Sequence, residues 1–356
     1  RCVGADDLTL SLFENQYPVQ PMGVSYNSYL ILDEKIAVMD SVDARAADEW
    51  LAKLAHELNG RSPDYLVISH MEPDHSGSIL RLAEKYQEMK LVGNTKTFTM
   101  LRQFFGAKAP TDDRLLEVGE GETLPLGAHT LHFMLAPMVH WPEVMVAYEE
   151  TEKLLFSADA FGRFGALSRT AGAPWAPQAR RYYYNIVGKY GAQVQALLKK
   201  ASALEIKTVC PLHGPVLTGE ALGEALRLYD LWSRWQSESP DDILLAHASI
   251  HGNTARAAEL LKQKLEAKGA RVTLCDLTTT EVSYAVANAF CCGKLVLACS
   301  TYDGGLFPPM EEFLSHLQAK GFRDRSVGLM ENGSWAPAAA RLMRAKLEEM
   351  KDLRVC

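Results

Sequence analysis

Cysteine is sparse in this sequence and nowhere forms a Cys-x-x-Cys pair. The seven thiols, Cys2, Cys210, Cys275, Cys291, Cys292, Cys299 and Cys356, are an odd set. That pattern argues against a disulfide framework and a thiolate metal site, and most of them are expected to be small core residues. Long apolar runs are missing too: none approaches the roughly 18 residues of a membrane helix. The first residues lack the basic and apolar regions of a signal peptide, so no membrane partner and a cytoplasmic location are expected. Basic charge is in deficit, with 37 Lys and Arg against 44 Asp and Glu and a net charge of -7. Without a basic excess to neutralise phosphates, nucleic acid is not an expected partner. Arg1 stands where an initiator Met would, so the chain is expected to be less than the whole translated product. What is present is 356 residues, 47% of them hydrophobic, enough for two cored domains.

The first part of the chain reads as a layered α/β domain. Strand-like runs cover 28–32 and 35–40, and an Ala/Leu-rich helix covers 46–58. A strand follows at 64–69, a helix at 76–89, a strand at 90–92, a helix at 96–105, and strands at 114–118, 129–135, 144–148 and 153–157. A helix of about 20 residues is expected over 182–201, then a strand at 208–210. A helix and a polar, Pro-containing connector, Trp232 to Pro240, complete this part. The boundary is set there, giving domains 1–239 and 240–356. The second domain alternates regularly: strands at 243–249, 271–275, 294–300 and 326–330, helices at 254–267, 281–290, 309–320 and 336–350, and a fifth strand beginning at Leu353. Such β/α alternation predicts a doubly wound parallel sheet.

The chemistry concentrates in His70-Met71-Glu72-Pro73-Asp74-His75, directly after the apolar run Tyr65-Leu66-Val67-Ile68-Ser69. Four metal-competent side chains fall within six residues at a strand end, where a loop can aim them at one or two points. A solvated turn capping a helix that starts near Ser76 would also fit these residue types. Three later strand ends add His140, Asp159 and His213. In the second domain, Ser249-Ile250-His251-Gly252-Asn253-Thr254 joins a strand to a helix. It has neither the Gly-Lys-Ser/Thr of a triphosphate loop nor a Gly-x-Gly-x-x-Gly. Its hydroxyls, amide and helix N-terminus suit a single phosphate, although an ordinary β-α turn would share the pattern. Two further loops leave the same sheet edge. One carries Thr301, Tyr302, Asp303, Gly304, Gly305 and Leu306, and the other Asn332, Gly333, Ser334 and Trp335. Ligands bind at that edge in open α/β sheets, and Tyr302 or Trp335 can pack on a flat ring.

The order of the seven candidate ligands resembles the metallo-β-lactamase fold, with Glu72 standing where its hydrolases carry a second histidine. A carboxylate there favours iron or manganese over zinc. The phosphate-sized loop resembles that of flavodoxins and implies FMN. Together, and with Leu12-Phe13-Glu14 and Gly23-Val24-Ser25-Tyr26-Asn27-Ser28-Tyr29 near the start, these features resemble the flavodiiron proteins over essentially the whole chain. The resemblance implies an N-terminal αβ/βα sandwich and a C-terminal flavodoxin-like sheet. It also implies one iron at His70, Glu72 and His140, another at Asp74, His75 and His213, and Asp159 between them. The activity it implies is reduction of dioxygen or nitric oxide with electrons from FMN. The implied donor is rubredoxin or reduced deazaflavin F420, and the implied assembly is a homodimer or a dimer of dimers. Two features depart from that pattern: segment 167–175 is short and poor in acids, and no helix follows the last strand. A dinuclear hydrolase with an accessory flavodoxin domain is the competing reading, and a pure electron carrier a third. Glu72 argues against the hydrolase, and the complete ligand set against the carrier.

Overall fold

The computed structural model describes residues 1–356. The chain divides into two units, Arg1–Tyr182 with Ala192–Tyr229, and Tyr183–Gly191 with Asp230–Cys356. In the first unit, one five-stranded sheet runs in the order Tyr29–Ile31, Ala37–Met39, Tyr65–Val67, Lys90–Gly93, Leu115–Glu117. Its first pair is antiparallel and the rest are parallel. A six-stranded sheet is ordered Thr123–Pro125, Thr130–Leu135, Met145–Glu149, Leu154–Phe156, Thr208–Cys210, Leu217–Thr218. Only Leu154–Phe156 and Thr208–Cys210 run parallel within it. Both sheets feed one apolar core, with Ile31, Met39, Val67 and Val92 from the first and Phe133, Met145, Phe156 and Cys210 from the second. The αβ/βα sandwich implied by the resemblance is borne out.

The helices follow from local signals. Helix Ala47–Leu58 buries Ala47, Trp50, Leu54 and Leu58, the three- and four-residue spacing of one helical face, and ends where Asn59 turns left-handed at φ 46°. Helix Thr95–Phe105 is capped by the Asn94 side chain, which accepts from the N–H groups of Lys96 and Thr97.

Two expected helices are corrected. The one expected over 76–89 begins earlier, at Pro73, and breaks into Pro73–Ser76 and Ile79–Lys85. Around Gly77 the packing is too close for a side chain: a Cβ would lie 2.7 Å from the Pro73 carbonyl and 2.9 Å from the Ala44 nitrogen. The expected helix over 182–201 is a helix at Trp175–Tyr182, a π turn at Tyr183–Val187, a 3₁₀ turn at Gly188–Tyr190 and a helix at Gly191–Ala201. Periodicity alone does not register such a break. Two glycines occupy it, and a Cβ on Gly191 would meet the Ser233 carbonyl at 2.4 Å.

In the second unit the strands are ordered Val272–Asp276, Ser239–Ala248, Cys292–Tyr302, Arg325–Asn332, Leu353–Val355. These neighbours all pair in parallel, and the short strand Gly305–Leu306 adds an antiparallel pairing to the end of Cys292–Tyr302. In chain order this is 2-1-3-4-5, the flavodoxin arrangement, so the doubly wound sheet is borne out. Strand Ser239–Ala248 starts earlier than expected and takes in Pro240, a position that strand beginnings tolerate. Arg325, the first residue of its strand, is buried and donates to the carbonyls of Cys292, Trp235, Arg323, Asp324 and Phe290. No helix is long and apolar enough to cross a membrane.

The sandwich core yields the first prediction. Phe133 is fully buried between the sheets, so Phe133→Ala should destabilise the first unit by about 3–5 kcal/mol. Urea denaturation followed by far-UV circular dichroism reads this directly, and a loss below about 1 kcal/mol would mean the site collapses freely and the core is not packed as described.

Candidate metal centre

Strand ends set the site. The strands Tyr65–Val67, Leu154–Phe156 and Thr208–Cys210 stop just short of His70, Asp159 and His213, while the chain after Thr130–Leu135 turns to present His140. Seven side chains converge as two donor groups: His70, Glu72, His140 and Asp159, and Asp74, His75 and His213. In the first, His140 Nε2 lies 3.0 Å from Glu72 Oε2 and 3.2 Å from Asp159 Oδ2. His70 Nε2 lies 3.3 and 3.5 Å from the same two oxygens. In the second, Asp74 Oδ2 lies 3.2 Å from His213 Nε2 and 3.4 Å from His75 Nε2. Asp159 serves both groups, its Oδ2 facing the first and its Oδ1 lying 3.2 Å from His75 Nε2.

These spacings fit metal ions. Donors about 2.1 Å from an ion stand roughly 3.0–3.4 Å apart in octahedral or tetrahedral shells. The polar accounting agrees, because both Asp74 oxygens and Asp159 Oδ1 are buried without a hydrogen-bond partner. His75 and His213 also bring their Nε2 atoms within 3.1 Å, a contact that a shared cation neighbourhood explains better than one proton. Histidine protons answer the acids instead. Burial would lower His70, but its bonds to Glu143 and Glu72 hold it well above the ordinary value. His140 likewise rises to about 9 against its burial, through Asp159 and Glu72. Burial would raise Asp159, yet the charge of His75 and the bond from His140 keep it well below the carboxylate range. Divalent cations would take the place of those protons.

Several supporting residues escape a sequence reading. Glu143, three residues after His140, accepts from Met71 N and bonds His70 Nδ1, both at 2.8 Å. Asp40, at the end of strand Ala37–Met39, accepts from Ser69 N at 2.7 Å and His70 N at 3.3 Å, and its burial lifts it to about 6. An acid just past a strand end or just past a ligand was the available signal, but nothing in its spacing pairs it with His70. The early motif gains a physical role. Ser25 O bonds His213 Nδ1 at 2.7 Å, and Asn27 Nδ2 donates to the carbonyls of Pro211 and Gly214. The Phe13 ring meets His213 edge-on at 5.4 Å. Tyr182 is fully buried beside the site. Burial first, then the charges of Asp159, Asp74 and Glu72, keep its phenol protonated. A cleft of about 610 Å³, lined by Phe13, Glu14, Tyr26, Arg45, Glu72 and Asp74, opens onto the donor groups.

The second unit offers a small polar cleft at the C-terminal edge of its sheet. Ser249, Ile250, His251, Asn253, Thr254, Thr301, Asn332, Gly333 and Ser334 line it, and Ser300 joins them. Thr254 Oγ1 and Ser300 Oγ lie 2.7 Å apart, and Asn332 Nδ2 donates to Thr254 Oγ1 at 3.3 Å. Ser249 Oγ is buried without a partner, and no side chain caps helix Asn253–Glu266 at Gly252. First-turn N–H groups and an orphan hydroxyl suit a phosphate. Of the other expected contacts, Gly252, Tyr302, Asp303, Gly304, Gly305, Leu306 and Trp335 do not line this cleft. Leu306 is buried, whereas Tyr302 and Trp335 are exposed, Trp335 at 77%.

A family model described as ODP family beta lactamase matches residues 24–214. The chain belongs to this family. Relatives extend the match past the ODP domain. Rubredoxin-oxygen oxidoreductase of Megalodesulfovibrio gigas is 27% identical over 358 residues, covering 98% of this chain and 87% of the relative. Nitric oxide reductase of Moorella thermoacetica is also 27% identical over 358 residues, covering 98% and 88%. Among solved structures, the flavodiiron protein from Giardia intestinalis superposes with a TM-score of 0.90 at 27% identity, over 99% of this chain and 89% of that one. The resemblance to flavodiiron proteins is borne out.

The Asp40 anchor generates a prediction. Asp40→Ala would leave two buried N–H groups unpaired, at about 1–3 kcal/mol each, and free the His70 backbone. The melting temperature should fall and less metal should be retained after dialysis. Unchanged retention would mean that Asp40 does not position His70.

Proposed function

We propose that the chain is an oxidoreductase that reduces dioxygen to water, nitric oxide to nitrous oxide, or both, at a diiron centre supplied with electrons through FMN. The observation that carries the reading is the pair of donor groups joined by Asp159, with the carboxylate of Glu72 among the histidines. His70, Glu72 and His140 would hold one iron, and Asp74, His75 and His213 the other, with Asp159 between them. Ser249–Thr254, Thr301 and Asn332–Ser334 would hold the FMN phosphate and its surroundings, and Tyr302 and Trp335 its ring. When bound, the iron pair would supply the redox chemistry that reduces the diatomic, and FMN the means of bringing electrons in from a donor. Three carboxylates offset much of the dimetal charge. Asp40 and Glu143 fix the loop that carries His70, and Ser25 and Asn27 fix the loop that carries His213. Names of relatives support the same reading, since they are called oxygen oxidoreductase and nitric oxide reductase.

Metal and flavin analysis of the purified protein tests this. Two irons and one FMN per chain are expected, whereas zinc without iron would overturn the reading. Asn253→Ala with Thr254→Ala should weaken FMN binding and leave iron near normal. Retention of FMN at unchanged affinity would refute the loop assignment.

The assembly belongs to the same proposal: a cytoplasmic homodimer, or a pair of such dimers, served by a rubredoxin-like protein or by reduced deazaflavin F420. The cleft of about 610 Å³ over the donor groups is far larger than a diatomic gas requires, which leaves room for a larger electron-delivering group to approach. A chain disabled at iron (Asp159→Ala) mixed with one disabled at flavin (Asn253→Ala, Thr254→Ala) should regain activity after subunit exchange. Verified mixed dimers that stay inactive would rule out transfer between chains.

A further inference from the structure

The outer nitrogens of the clustered histidines are not supported alike. His70 Nδ1 is backed by a carboxylate, Glu143 Oε1, at 2.8 Å. Glu143 is itself fixed on three counts: its side chain is fully buried, the same oxygen accepts from Met71 N, and its backbone carbonyl accepts from Asn94 Nδ2 at 2.6 Å. In the other donor group, His213 Nδ1 is backed by a neutral carbonyl, Ser25 O, at 2.7 Å. His75 Nδ1 is buried and has no partner at all. His140 Nδ1 makes no hydrogen bond either, so the difference between the groups is Glu143 behind His70 against Ser25 O behind His213, and they are otherwise matched. Each has two imidazoles, one carboxylate of its own and one oxygen of Asp159.

Outer partners of this kind set ligand strength. A carboxylate behind an imidazole holds its tautomer and orientation and makes the coordinating nitrogen more basic, while a carbonyl does less and an unpartnered nitrogen nothing. The negative charge of Glu143 also lies on the side of the first group. We infer that the two metal positions are unequal: the ion among His70, Glu72 and His140 is held the more tightly because Glu143 backs His70, and the ion among Asp74, His75 and His213 leaves first. Glu143 is thus a positioning residue that ranks the two sites. The inference rests on the metal-centre reading above.

Iron release separates the two. Reduced, iron-loaded protein is mixed anaerobically with excess ferrozine, and the coloured chelate is followed with time. Release in two phases of one iron per chain is expected, their rates differing about tenfold or more. In crystals soaked to half depletion, anomalous scattering should place the remaining iron among His70, Glu72 and His140. Glu143→Gln keeps an oxygen acceptor for His70 and Met71 but removes the charge. It should accelerate the slow phase by roughly 10–100-fold and leave the fast phase and the melting temperature near those of the parent. A purely structural role for Glu143 would move both phases and the melting temperature together. Release of both irons in one phase, or residual iron among Asp74, His75 and His213, overturns the ranking while leaving the diiron reading intact. A chain that takes up no Fe²⁺ at all overturns the diiron reading and the ranking with it.

Discussion

Crowding of negative charge at one buried point is the constraint on which the first unit depends. Glu72, Asp74 and Asp159 meet within a few ångströms, and Asp40 and Glu143 stand directly behind them. So many carboxylates in a sandwich interior are untenable without compensation, since an uncompensated buried charge costs several kcal/mol. His70, His140 and His213, whose acid neighbours favour their protonated forms, supply part of it, and metal ions would supply the rest. The architecture around the acids follows from that need. Short loops at the ends of strands keep the donors rigid, and each loop is tied down by hydrogen bonds from outside the donor set.

The second unit solves a different problem with less strain. Its cleft offers neutral donors to a phosphate-sized group: hydroxyls, an amide and the uncapped start of a helix. No lysine or arginine lines it.

How much of this was legible in the sequence divides along physical lines. Candidate ligands were visible because each polar residue interrupts or ends an apolar run, as His70 does after Tyr65-Leu66-Val67-Ile68-Ser69. The flavodoxin-like sheet was visible because its strands and helices alternate without insertion. What stayed hidden depends on contacts between segments remote in the chain. Nothing local in His140-Trp141-Pro142-Glu143 says that the last residue reaches His70, 73 positions earlier. Nor does the apolar pattern of 182–201 reveal that the helix yields to a π turn at Tyr183–Val187. The exposure of Tyr302 and Trp335 was equally beyond reach, since side-chain identity does not tell a packed aromatic from an exposed one.

Asn27 joins the start of the chain to the loop of the last candidate ligand, over sequence separations of 184 and 187 residues. Contacts of such high order form only after most of the intervening chain has found its place. During synthesis, therefore, six of the seven donors emerge well before His213 does, and the emerging polypeptide presents only a partial chelator. Closure of the donor cluster and completion of the domain are therefore one event: a molecule that misplaces its first thirty residues would leave the His213 loop unanchored, although none of them belongs to the donor groups.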